Sequence, residues 1–77
     1  IIVINCADHD SEIRTKEFLN EQVSRAVIKS KSAQKGAIEL NYEIRLKDDN
    51  TDFINLLAEM QGINSAVLVS YNGEYLG

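Results

Sequence analysis

Seventy-seven residues make one domain at most, and a chain of that length buries only about 60% of the surface its unfolded form exposes, so marginal stability is expected. Twelve acids against eight bases give a formal net charge of −4, and the bases are scattered or alternate with serines, which argues against nucleic acid as a partner. With 44% hydrophobic residues the chain can fold, no run approaches the roughly 18 apolar residues of a membrane span, and a lone cysteine, Cys6, excludes an internal disulfide and suits the cytosol.

IIVIN, Ile1 to Asn5, is apolar on both faces, as a central strand should be. A chain that starts inside such a strand, with Ile1 rather than Met, is expected to be a single domain, residues 1–77, cut from a longer protein. In NCADHDSE, Asn5 to Glu12, either Asp10 or Ser11 can cap a helix whose first turn carries Glu12, where a carboxylate suits the positive end of the dipole. Ile13, Phe18, Leu19 and Val23 give that helix one apolar side through about Val23.

SRAVIKSKSAQKG then switches to period two, with Ala26, Ile28 and Ser30 on one side and Val27, Lys29 and Lys31 on the other. Gln34, Lys35 and Gly36 supply a turn. In AIELNYEIRLK, Ile38, Leu40, Tyr42, Ile44 and Leu46 alternate strictly with Glu39, Asn41, Glu43, Arg45 and Lys47, which predicts a strand with one buried face. A turn centred near Lys35 would set Lys31 opposite Glu39, so the polar faces would carry complementary charge. KDDNTD offers capping residues before Phe53, Leu56, Leu57 and Met60, a stripe at helical spacing, and Gly62 is placed to end that helix. AVLVSY reads as a strand, and Asn72-Gly73 as a tight turn.

The order strand, helix, strand, strand, helix, strand predicts an α+β fold. Two right-handed crossovers around a central hairpin give a ferredoxin-like βαββαβ sandwich, a four-stranded antiparallel sheet with two helices on one face. Parity turns Ile2, Ile4, Cys6, Ala66 and Leu68 inward. It leaves Ile1, Val3, Val67, Val69 and Tyr71 on the open face as one apolar patch, beside a charged half made by Lys29, Lys31, Glu39, Glu43 and Arg45. Contiguous exposed apolar surface marks an interface, so these five residues are the expected interface.

The chemistry-bearing residues lean towards structural roles. Cys6, Asp8, His9 and Asp10 include zinc-ligating types, but on a strand Cys6 and Asp8 share a face while His9 points away, and no second His or Cys cluster completes a shell. No metal and no cofactor is therefore expected. A Cys6–His9 nucleophilic pair would need an activated thiolate, whereas an inward Cys6 favours its thiol. Asp48, Asp49 and Asp52 lack the glycine and terminal glutamate of a calcium loop. Lys29 and Lys31, spaced by serines, could meet an anionic head group or a phosphate, or simply form an exposed strand face paired with Glu39.

The element order resembles an ACT-like domain, and YEIRLKDDNTDFINLLAEMQGINSAVLVSYNGEY resembles the soluble carboxy-terminal domain of MgtC-type and related bacterial multi-span membrane proteins. The resemblance implies a non-catalytic regulatory or assembly domain at the cytoplasmic face of the membrane, acting as a weak homo-oligomer or by docking on its parent membrane portion. Its alternative is a small-ligand sensor of ACT type, binding through Asp8, His9 and Asp10 in the turn after the first strand. Ligand-binding ACT domains resemble this chain in the acidic residue at Asp8, but they follow it with a Pro-Gly turn where this chain has Asp10-Ser11.

Overall fold

The structure, a computed structural model, describes residues 1–48 and 50–69. Its elements are β1 (Ile2–Cys6), α1 (His9–Gln22), β2 (Val23–Gln34), β3 (Ala37–Leu46), α2 (Asp52–Glu59) and β4 (Ile63–Leu68). The strands form one antiparallel four-stranded sheet in the order β2-β3-β1-β4. This is the ferredoxin-like α+β arrangement that the element order predicts, with β1 central and β4 beside it.

The alternation in β3 does what its pattern requires. Ile38, Leu40 and Tyr42 are buried, together with Ile2, Ile4 and Cys6 of β1, and α1 adds Leu19 while α2 adds Phe53 and Leu57. The β2–β3 hairpin closes on Lys35-Gly36, with Gln34 paired to Ala37 and Gly36 at a φ of 76°, in the left-handed region that favours glycine. In the loop before α2, Asp48 accepts from the Asn50 N–H and Asn50 in turn accepts from the Asp52 N–H, both at 2.8 Å, two successive Asx turns that lead into α2, whose N-cap residue, Thr51, makes no side-chain cap hydrogen bond. Asp49 lies outside the described residues, as do Tyr71 and the Asn72-Gly73 pair.

Three expectations need correction. The helix α1 is capped by Asp8, not by Asp10 or Ser11. Asp8 is extended, with a φ of −155° and a ψ of 176°, and its carboxylate accepts from the Ser11 N–H at 2.9 Å. Second, Ile13 and Leu56 are exposed, at 44% and 56%. The line that α1 buries is Ser11, Thr15 and Leu19, spaced by four, because small hydroxyl side chains let the helix lie close to its neighbours. Thr15 Oγ1 donates to the Ser11 carbonyl at 2.8 Å, which satisfies the buried hydroxyl. Val23 is buried as the first residue of β2 rather than as part of the helix.

Third, Lys31 does not face Glu39. Register shifts at Ser24 and Lys29 put two bulges into β2, so Ser32 opposes Glu39 and Lys31 opposes the inward Leu40. A bulge adds one residue and reverses the alternation beyond it. Lys31 thereby crosses to the helix side of the sheet, where its ammonium lies 2.9 Å from Glu12 of α1.

Gly62 follows α2 with a φ of 86°. A Cβ there would stand 2.9 Å from the Cβ of Ser11 and would overlap its hydroxyl. Gly62→Ala is therefore expected to destabilise the domain by at least about 1–3 kcal/mol, read as a lower urea midpoint. A midpoint equal to that of the parent protein would mean that this close approach is not a structural requirement.

Candidate functional site

Two regions hold the residues that could act on something else: the turn between β1 and α1, and the open face of the sheet. At the turn, Cys6 ends β1 fully buried, 3.9 Å from Thr15 Oγ1. Burial pushes its thiol pKa up; the Thr15 contact opposes that, and the charges of Glu12 and Asp8 add to it. A thiol held protonated and out of solvent is a poor nucleophile.

Asp8 uses one oxygen twice, accepting from Ser11 Oγ at 2.7 Å and from the Ser11 N–H at 2.9 Å. Those bonds, first the hydroxyl and then the amide, hold its carboxyl below the usual range, with Arg14 and His9 helping. Arg14 Nη2 donates to Ser11 Oγ at 3.1 Å and to the Gln61 carbonyl at 2.9 Å, so the turn is tied to the loop before β4. His9 and Asp10 open the helix and are exposed. His9 Nδ1 lies 3.3 Å from Glu12 Oε1, while Asp10 makes no side-chain hydrogen bond among the described residues.

The structure thus does not bring Asp8, His9 and Asp10 to one point. Asp8 turns to Ser11, and His9 turns to Glu12. Among the described residues no three His, Cys, Asp or Glu side chains converge as metal ligands would.

Sequence reading missed Glu12 as a centre. Its carboxylate takes the Lys31 ammonium at 2.9 Å and the His9 ring at 3.3 Å, with its side chain only 17% exposed. Burial alone would raise its pKa, but hydrogen bonds and charge from Lys31 and His9 outweigh that and hold it low. Buried Tyr42 lies near enough that burial, then the Glu12 charge, then Cys6, push its phenol up. The bulge that sends Lys31 to Glu12 has no signature in hydrophobic alternation.

On the open face, Val3 of β1 opposes Val67 of β4, and the Val69 N–H donates to the Ile1 carbonyl at 2.7 Å. Ile1, Val3, Val67 and Val69 therefore lie together on neighbouring strands, with Val67 50% and Val69 42% exposed. The expected fifth member, Tyr71, falls outside the described residues. Polar pairs edge the patch: Asn64 Nδ2 donates to Asn5 Oδ1 at 3.0 Å, and Asn41 Nδ2 donates to Ser30 Oγ at 2.9 Å. Farther out, Lys29 Nζ lies 3.4 Å from Glu43 Oε1.

Both Asp8 and Glu12 are held below their ordinary pKa values, so the stability they contribute is full above about pH 4.5 and is lost as pH falls through their lower folded values. Replacing Glu12 by Gln is expected to cost about 1 kcal/mol near neutral pH, a modest figure because Lys31 is partly solvated, and to flatten the loss of stability in acid. Urea midpoints of parent and variant that fall in parallel from neutral pH to about pH 3 would show that Glu12 is not coupled to folding.

Comparison with protein-family models, with curated proteins and with solved structures finds no match, so the roles of these residues rest on their geometry and chemistry.

Proposed function

We propose that this chain is a non-catalytic regulatory or assembly domain of a bacterial membrane protein, working at the cytoplasmic face by self-association through the open side of its sheet. The observation that carries this reading is the apolar patch on β1 and β4, where Val3 meets Val67 and Ile1 meets Val69 on a face that neither helix covers. A second copy of the chain is the favoured occupant. In a two-fold interface a patch meets itself, and an uncharged patch does so without electrostatic cost.

The resemblance to the soluble domain of MgtC-type proteins supplies the membrane context. No helix among the described residues is long and apolar enough to cross a membrane. The buried thiol of Cys6 and the commitment of Asp8 to its cap support a non-catalytic reading over a Cys–His enzyme.

Four apolar side chains at partial burial contribute about 4 kcal/mol, taking roughly 1.5 kcal/mol per fully buried chain and discounting by about a third. Association costs several kcal/mol in lost translational and rotational freedom. The expected result is a weak dimer that strengthens when a membrane portion raises its local concentration.

Light scattering over a concentration series should show dimerisation for the parent protein and none for Val67→Lys, with circular dichroism unchanged because Val67 faces away from the helices. Leu68 opposes Ile2 and packs against the core, so Leu68→Lys should unfold the domain. A parent protein that stays monomeric at millimolar concentration would remove the self-association reading. Saturable thermal stabilisation by an amino acid, lost in Asp8→Ala, would make the domain a sensor instead.

A further inference from the structure

On the open face, away from the valine patch, Arg25, Lys29 and Arg45 surround a depression of about 280 Å³ whose other walls are Val27, Glu43 and Ile44. Arg25 and Arg45 are direct register partners on β2 and β3. Like charges set opposite one another weaken a strand pair, so folding alone disfavours this choice. It is odder still in a chain of net charge −4 that gathers three of its eight bases here. Glu43, the one carboxylate lining the depression, contacts Lys29 at 3.4 Å, and neither guanidinium has a carboxylate partner among the described residues.

The backbone is shaped to produce this grouping. The first bulge of β2 lies at Ser24, whose hydroxyl donates to the Arg45 carbonyl at 3.0 Å, and Lys29 is the extra residue of the second. Bulges re-aim side chains: the first turns Arg25 to the face that carries Arg45, and plain alternation from there puts Val27 and Lys29 on the same side as Glu43. Val27, half-buried on this face, gives the depression an apolar wall between the charged groups, whereas Ile44 packs its side chain against the core.

We propose that this depression binds the phosphate group of a small phosphomonoester. Guanidinium forks bind oxyanions in bidentate fashion, and three cations against one carboxylate leave two positive charges, which match a phosphate monoester of charge about −2 near neutral pH. The volume lies just under the range of roughly 300–1,000 Å³ that holds drug-sized ligands, so the ligand is small, and the Val27 side chain accepts a short organic group. This site goes beyond the self-association reading and uses none of the valine patch.

Phenyl phosphate is a suitable soluble probe, and phosphatidylcholine vesicles carrying phosphatidic acid present the same group on a lipid. Calorimetric titration should show saturable binding of phenyl phosphate that weakens with added salt and falls by roughly tenfold or more in Arg45→Gln. The ligand-free variant should be at least as stable as the parent, because an opposed like charge has been removed. Lys16→Gln, which changes net charge equally on the exposed side of α1, should bind as the parent does. Binding of the vesicles without the soluble ester, again lost in Arg45→Gln, would assign the phosphate to a lipid headgroup. Failure to bind either probe, or equal loss in Lys16→Gln and Arg45→Gln, would overturn the proposal. Oligomeric state measured on the same samples reports separately on the valine patch.

Discussion

The contact between Ser11 and Gly62 is the constraint on which the remaining geometry depends. Ser11 is fully buried at the first turn of α1, and its hydroxyl donates to Asp8 while accepting from Arg14, which also holds the Gln61 carbonyl. The Ala7 N–H donates to the Gly62 carbonyl at 2.8 Å alongside. One side chain thus joins the exit of β1 to the entry of β4. One crossover of the fold begins at this suture and the other ends at it, and a Cβ at position 62 would open it. With the suture closed, β4 lies beside β1, and the valines of the two strands are forced onto one face.

The same network explains why the polar cluster after β1 reads more naturally as structure than as a reaction site. Apart from exposed Asp10, its polar groups are matched within α1 or from β2: Asp8 by Ser11, Thr15 by the Ser11 carbonyl, and Glu12 by His9 and by Lys31 of β2. Buried polar groups must be satisfied, and satisfying them locally leaves little free chemistry for a ligand. The open face is the opposite case, since its apolar side chains and two facing arginines have no such partners among the described residues. Unresolved physical demands lie there rather than at the turn.

How much of this could be read from residues follows from which interactions are periodic. The alternation of Ile38, Leu40, Tyr42, Ile44 and Leu46 named the inner face of β3, and its pairing carried the inner faces of β1 and β4 with it. Parity likewise placed Ile1, Val3, Val67 and Val69 together on the open face. Hydrophobic spacing failed where packing used small polar groups, as at Ser11 and Thr15, so Ile13 was expected inside and lies outside. The cap moved from Asp10 or Ser11 to Asp8 because all three can cap, and the extended backbone at Asp8 decides among them. The bulges of β2 were invisible for a different reason. A bulge is a register property of two strands, and alternation within one strand cannot report it.

Those bulges do more than relocate Lys31. The second one splits the long β2 strand into parts with different support. Towards its start, Val23 is buried and Ala26 packs against the core, so the backbone under Arg25 and Arg45 is held by the sheet and by α1. Beyond Ile28 the strand runs out from under the helices, and from Lys29 to Gly36 every residue is exposed. In that outer stretch the Lys31–Glu12 pair is the one ion pair among the described residues that reaches back to a helix. Few buried apolar contacts mean low local stability, so the hairpin tip should open more readily than its base. The paired arginines therefore sit on the rigid end of the hairpin, where two opposed charges can be held in place rather than relaxing apart, and a recognition site needs that kind of support.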